Sequence, residues 1–173
     1  LGVAENGFRH ITNSQKEIAT PADMNGMKIR IPNTAVLTYA YGDWGANWQI
    51  ANWSEVYTAL QNGTFDSQSN SPATIKSGNI QEVQKYVTKW FAQFDGMCFV
   101  MNGDLFNSWS PEVQAIVQDC ATKACDYQVE LTRQLCDEYF ELWVKDYGME
   151  VTEPTPEATA EFKEAAQPLY EEW

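Results

Sequence analysis

The residues best suited to chemistry in this 173-residue chain are its few arginines. There are 24 acidic and 11 basic side chains, a formal net charge of −13. A protein with such a surface holds an anion only where a cation is sheltered from the surrounding carboxylates. Arg9, Arg30 and Arg133 are the candidates. A guanidinium offers two parallel hydrogen bonds to a carboxylate and stays charged when partly buried. Arg30 lies in Gly26-Met27-Lys28-Ile29-Arg30-Ile31-Pro32, where it is either an anion clamp or a strand-end residue paired with an acid. Arg9 is open to the same two readings. Asn70 closes Asp66-Ser67-Gln68-Ser69-Asn70 and by itself reads as a turn former. Trp53 stands just before a helical segment that ends at Asn62-Gly63, and an indole there is core or a shelf for a ligand. Trp44, Trp48 and Trp53 fall within ten residues. They either line a pocket for an aromatic or bulky organic acid or fill the core.

The same composition narrows the function. An acidic surface repels phosphate backbones and anionic membranes, and no Lys/Arg cluster argues for nucleic acid. No apolar run reaches the length of a membrane span. The four cysteines, Cys98, Cys120, Cys125 and Cys136, form no CxxC pair, and the one histidine, His10, is distant in sequence. No metal site or cofactor is expected. Cys120 and Cys125 point to different sides of a predicted helix, so the cysteines are expected to be buried free thiols. The sequence lacks GxSxG, HExxH, P-loop and dinucleotide fingerprints. Asp137 and Glu138 are adjacent carboxylates on a helix face. They read as solvated, with a carboxylate-pair hydrolase as the enzymatic alternative. No catalytic residue is assigned.

Elements that position these residues follow from periodicity. Residues 6–12 read as a short strand leaving an Asn-Gly turn, and Thr20-Pro21 as a one-turn helix start. Met27–Ile31 alternates apolar and basic residues, a strand stopped by Pro32. Asn33 is expected to cap a helix running to about Gly42, and Ser54 a second helix. Residues 46–53 read as extended, 64–69 as a short strand, and Pro72 as opening another helix. Val83, Val87 and Trp90 continue the apolar stripe. Gly96–Met101 is a continuous apolar run that fits a strand buried on both faces. Ser110-Pro111-Glu112 is a strong helix start. Val113, Ile116, Val117, Cys120, Ala124, Tyr127, Leu131 and Leu135 keep helical spacing, and the pattern ends at Gly148. That helix is expected to be on the order of 55 Å long, more than a small domain spans. Thr155-Pro156-Glu157 opens a last helix. Alternating strands and helices give an α/β class.

The blocks around Arg30, Trp53 and Asn70, in this order and spacing, resemble the C-terminal half of DctP-family solute-binding proteins. These are the extracytoplasmic receptors of tripartite ATP-independent periplasmic (TRAP) transporters. Glu82-Val83-Gln84-Lys85-Tyr86 and the Ser-Pro-Glu helix start add to the resemblance. It implies part of a two-lobed clamshell with a long lobe-spanning helix. Residues 1–95 and 137–173 would form the second lobe, and 96–136 a strand and helix belonging with the first, whose N-terminal part is expected to be absent. It further implies that Arg30 clamps a substrate carboxylate and that Asn70 hydrogen-bonds the same ligand. Arg9 matches a second basic position near ligand, and Trp53 an aromatic that packs on it. The usual Asp-Gly-Gln-Glu-Asn-Pro reads Asp66-Ser67-Gln68-Ser69-Asn70-Ser71 here, and the proline common after the Gly-Ala pair is replaced in Gly45-Ala46-Asn47-Trp48. The acid carried is therefore not inherited from any one relative.

The expected function is that of a periplasmic receptor delivering an organic acid to the membrane permease subunits of a TRAP transporter, with no chemistry of its own. A ligand-sensing domain of a signalling receptor would share the same pocket. The exposed half of the long helix is expected to meet a second copy or a missing N-terminal fragment through Val113, Ile116, Val117, Cys120 and Tyr127.

Overall fold

One mixed sheet organises the chain, in the order β3-β2-β4-β1-β5-β6. The computed structural model describes residues 1–172, with side chains through Tyr170. The strands are β1 (Gly2–Asn13), β2 (Lys28–Ile31), β3 (Asn47–Ile50), β4 (Ser67–Asn70), β5 (Tyr86–Phe99) and β6 (Glu150–Thr152). The short strands β2, β3 and β4 are mutually parallel. β1 runs antiparallel to both β4 and β5, and β6 pairs parallel with β5. The helices are α1 (Ala35–Asp43), α2 (Trp53–Gln61), α3 (Pro72–Ser77), α4 (Gly103–Asn107), α5 (Pro111–Tyr147), α6 (Pro156–Ala165) and α7 (Gln167–Glu172).

Two apolar clusters build the core. One gathers Ile11, Ile29, Ile31, Leu37, Tyr41, Trp90 and Phe162, joining the sheet to α1 and α6. The other gathers Val56, Leu60, Ile75, Val87, Phe140 and Trp143, joining it to α2, α3 and the C-terminal part of α5. Alternation along β2 decides where its arginine goes. Ile29 and Ile31 enter the first cluster, so the intervening Arg30 emerges on the other face.

The long helix is a single element of 37 residues, about 55 Å at ~1.5 Å per residue. It contains no internal glycine or proline, and Gly148 ends it at φ 65°, a conformation that suits glycine. Ala121, Cys125, Thr132, Phe140 and Trp143 are its buried residues. The stripe expected from sequence lies largely on other faces: Val113, Ile116, Cys120 and Tyr127 are exposed and Val117 is half-buried. Small residues at 121 and 125 allow close approach to β1, where Gln128 Nε2 donates to the Glu5 carbonyl.

Several boundaries differ from the sequence reading, each for a physical reason. Asn6-Gly7 is not a turn. It is a bulge inside a continuous 12-residue strand, with Gly7 at φ 96° and a register shift between Glu5 and Gly7. The caps of α1 and α2 are Thr34 and Asn52, not Asn33 and Ser54, so Trp53 is the first residue of its helix. The helical stripe does not continue past Gly78. Asn79 adopts φ 55°, and Val87 and Trp90 lie on β5, where β-branched and aromatic neighbours suit a strand. Gly96–Met101 is not buried on both faces. Its strand portion pairs with Gly2–Glu5, and Met97, Phe99 and Val100 are exposed. All four cysteines are free, but among them only Cys125 is buried. Cys98 and Cys120 are exposed and Cys136 is half-buried.

Candidate functional site

The sheet delivers four sequence-selected residues to one place. Arg9, Arg30, Trp53 and Asn70 line an open concavity of about 260 Å³ together with Asn6, Pro32, Thr74 and Asp95. It forms where the parallel strands β2 and β4 end beside the antiparallel β1–β5 pair. Ligand sites in open α/β sheets favour the carboxyl ends of strands at such changes of direction.

Arg30 is 4% exposed. Its Nε and a terminal NH₂ both donate to the Ala51 carbonyl, at 2.9 and 2.6 Å. Its guanidinium carbon lies 5.6 Å from the centre of the Trp53 ring, a cation–π contact. No carboxylate lies within salt-bridge distance of it among the described residues, whereas Arg9 pairs with Asp95 and Arg133 with Glu5. Burial, and secondarily the charge of Arg9, pull the Arg30 guanidinium down from its usual value to about 10. It remains protonated at neutral pH. A buried cation without a counter-ion raises the free energy of the empty site and favours any anion that enters.

Arg9 is 5% exposed and anchored on two strands. One terminal NH₂ donates to the Ser69 carbonyl, and Nε to Ser69 Oγ at 3.4 Å. The other terminal nitrogen donates to Asp95 Oδ2 at 3.0 Å. The structural ion-pair reading of Arg9 and its place in the concavity are thus both met.

Asn70 ends a strand that is polar throughout and wholly buried. Its orientation is fixed by groups that can only donate or whose own partners fix them. The Ser71 backbone N–H donates to Asn70 Oδ1 at 3.1 Å, and Asn6 Nδ2 donates to it at 3.4 Å. Asn6 Oδ1 accepts from the Ser71 and Thr74 hydroxyls, at 2.7 and 2.8 Å. Asn6 Nδ2 also donates to Asp95 Oδ2 at 3.0 Å. With Oδ1 of Asn70 engaged, the group that side chain offers a ligand is its NH₂ donor. Trp53 is half-buried, and a Cβ added at Gly78 would lie 2.6 Å from its Cζ2. Glycine at 78 therefore lets the indole lie where it does.

The three clustered tryptophans, open to a pocket or a core reading, part company. Trp44 packs edge-on against Tyr41 and Phe162, and its Nε1 donates to the Phe162 carbonyl at 2.9 Å. Trp48 is 40% exposed on the edge strand β3. Only Trp53 reaches the Arg30 concavity. A second, apolar concavity of about 260 Å³ lies around Tyr41, Trp44 and Trp90, with Arg9 at its margin. Asp137 and Glu138 do not form a catalytic pair. Asp137 is exposed and meets Lys89 at 3.4 Å, and Glu138 accepts from Gln134.

Asn6, Thr74 and Asp95 were not selected from sequence. Asn6 is turned into the concavity by the bulge at 6–7, which re-aims one side chain of an otherwise regular strand. Asp95 arrives from β5, opposite Gly7. Such placement depends on pairing register, which one strand's sequence does not reveal.

A mixed α/β sheet thus carries to an open cleft a guanidinium that is buried and, among the described residues, meets no carboxylate. The chain belongs to the bacterial extracellular solute-binding protein family 7 (DctP), whose model matches residues 1–173. It is 33% identical over 151 residues to the 2,3-diketo-L-gulonate-binding periplasmic protein YiaO of Escherichia coli, covering 87% of this chain and 46% of that protein. A TRAP periplasmic solute-binding protein from Ralstonia eutropha, solved with bound (S)-2-acetolactate, superposes with a TM-score of 0.93 at 30% identity. The match covers 100% of this chain and 56% of that one. One from Sulfitobacter, solved with β-D-galacturonate, gives 0.92 at 30% identity, covering 99% and 56%. The chain thus spans about half the length of the relatives it matches.

Proposed function

We propose that this chain is the ligand-clamping part of an extracytoplasmic receptor for an organic acid, serving the permease subunits of a TRAP transporter from the periplasm. The observation that carries the reading is Arg30, buried and without an acidic partner among the described residues. The carboxylate of the ligand supplies the missing counter-charge, the Asn70 NH₂ group adds a hydrogen bond, and the Trp53 ring walls the site. Arg9 raises the local positive potential while held by Asp95. The three relatives described above are named for, or solved with, a diketogulonate, an acetolactate and a galacturonate, each of which carries a carboxylate. The protein binds and releases its ligand without chemical change.

In the working receptor, residues 1–95 and 137–173 belong to one lobe and 96–136 to the other, with closure of the clamshell sequestering the ligand. The exposed Val113, Ile116, Cys120 and Tyr127 then face a second copy of the chain or the remainder of the receptor. In light scattering the isolated chain forms a dimer or larger assembly, and a stable monomer removes the second-copy reading.

The clamp is tested by Arg30→Lys in calorimetric titrations with a panel of carboxylates. Lysine keeps the charge and loses the planar two-bond geometry. Binding weakens by roughly 2–5 kcal/mol, the range for breaking a desolvated charged pair. Unchanged affinity would sink the assignment.

A further inference from the structure

We infer that Asp95 is a specificity residue of the Arg30 site, restricting it to monocarboxylates that carry a hydroxyl or other hydrogen-bond donor and rejecting dicarboxylates. This rests on the carboxylate-receptor reading above and adds the class of acid.

Three observations lead there. First, the lining of the concavity contains two guanidiniums, Arg9 and Arg30, and one carboxylate, Asp95. Arg9 and Asp95 neutralise each other at 3.0 Å, which leaves one net positive charge. A ligand with one carboxylate balances it. A second ligand carboxylate finds no free cation in this lining and faces Asp95, and like charges in a cleft repel more strongly than in bulk water.

Second, the polarity of the lining is ordered. Its donors are the Arg30 guanidinium and the Asn70 NH₂ group, on the ends of β2 and β4. Asp95, on β5, is an acceptor. Its Oδ2 is taken by Arg9 and Asn6, each at 3.0 Å, while the side chain remains 35% exposed. Oδ1 is thereby the atom available to a ligand donor. An ionised carboxylate accepts hydrogen bonds and donates none, so it meets a ligand hydroxyl well and a ligand carboxylate poorly.

Third, the carboxylate is held in place. Asn6 touches Asp95 through Nδ2, and its own Oδ1 is fixed by the Ser71 and Thr74 hydroxyls. A chain of hydrogen bonds thus runs from the start of α3 through Asn6 to Asp95. A group positioned this way discriminates between ligands instead of swinging aside.

The test uses three linear six-carbon acids: D-gluconate with one carboxylate and hydroxyls, hexanoate with one carboxylate alone, and adipate with two. Each is titrated calorimetrically into the complete receptor that carries this chain, the parent, and into its Asp95→Asn variant, at low ionic strength. The parent binds gluconate at least about tenfold more tightly than either other acid. Asp95→Asn binds adipate about tenfold more tightly than the parent does, and its preference for gluconate over adipate collapses. Asp95→Ser, uncharged and smaller, carries the same expectation should the asparagine variant not fold. Comparable affinity of the parent for all three acids, or a gluconate-to-adipate ratio unmoved by both substitutions, overturns the inference and leaves the carboxylate reading standing. Failure of the parent to bind any of the three at millimolar concentration overturns both.

Discussion

Replacing Arg30 by methionine separates a residue kept for binding from one kept for folding, because the structure predicts that its loss costs almost no stability. The guanidinium is drawn well below its usual value, to about 10, chiefly by burial. The folded state therefore holds the arginine proton less tightly than the unfolded chain does. Below pH 10 the arginine is charged in both states, and the folded state bears the difference at neutral pH. The drop corresponds to about 3 kcal/mol. Because the concavity is open to solvent, screening reduces this to about 2 kcal/mol. Removing the charge recovers that amount. Against it stand the hydrogen bonds to the Ala51 carbonyl and the contact with Trp53, together about 2 kcal/mol. The two sides nearly cancel, so Arg30→Met changes stability by less than about 1 kcal/mol, or about 3 °C in Tm for a chain of this size.

Arg9→Met is the control, since it touches the same concavity. It strips Asp95 of its ion-pair partner and leaves the Ser69 carbonyl without its charged donor. Breaking such a pair costs about 3 kcal/mol, lowering Tm by about 6–12 °C. Thermal unfolding of the two variants, followed by circular dichroism in one buffer at pH 7.5, gives the comparison. A drop in Arg30→Met as large as that in Arg9→Met would show that Arg30 is a structural residue and that the argument from its missing counter-ion is mistaken.

Two further outcomes follow from buried groups. His10 lies edge-on between Phe91 and Phe140 with Nδ1 unpartnered, and burial, then Lys89, lowers its pKa from 6.5 to about 4. The unfolded chain takes up the proton first, so stability is full above pH 6.5 and falls as the pH drops from there toward 4. By pH 5 the loss from this one group is about 2 kcal/mol. Urea unfolding at pH 7.5 and 5.0 reads it as a smaller decline in His10→Phe than in the parent, and equal declines would count against it. Gly78→Ala drives a methyl into the Trp53 ring, so it displaces the indole from Arg30 and weakens ligand binding about tenfold while costing about 1 kcal/mol of stability. A crystal structure with Trp53 unmoved would refute this.

What the sequence made legible is what depends on local pattern. Ser110-Pro111-Glu112, an uninterrupted helical stretch and Gly148 define α5 almost to the residue. Met27–Ile31 alternates so plainly that Arg30 could be assigned to the face opposite its isoleucines. What escaped depends on pairing between distant strands. The short strand read at 64–69 is there as β4, but its burial was not legible: Ser-Gln-Ser-Asn has no apolar residue, yet it lies wholly buried between β2 and β1. Its polar side chains are tied to neighbours, as when Gln68 Nε2 donates to Thr12 Oγ1 at 2.9 Å. The bulge at Asn6-Gly7 carries the same dipeptide signal as a hairpin turn, and only the partner strand distinguishes the two. The exposure of Met97, Phe99 and Val100 contradicts hydropathy, because apolar composition tells what a strand can bury and not what is there to cover it.

The residues that escaped local reading are also those that give the site its character. Scarcity in an acidic chain made Arg30 one of three candidates and the DctP-like block around it singled it out, but neither says whether its charge is met. That is decided by the carboxylates brought near it. Register places Asp95 opposite Gly7, two residues from Arg9, so the available acid neutralises Arg9 and leaves Arg30 open. Had β5 been shifted by one residue, Asp95 would have faced the other side of the sheet and both arginines would have stood unpaired. The bulge at Glu5/Gly7 and a larger irregularity of β5 opposite Arg9/Ile11, where Phe91 takes φ 52°, bracket this arrangement. Bulges fix the register of long strands and aim side chains between them. The selectivity proposed for Asp95 is therefore set by strand pairing as much as by residue type. An insertion of one residue between Gly7 and Arg9 is a more damaging change to the site than many substitutions within it.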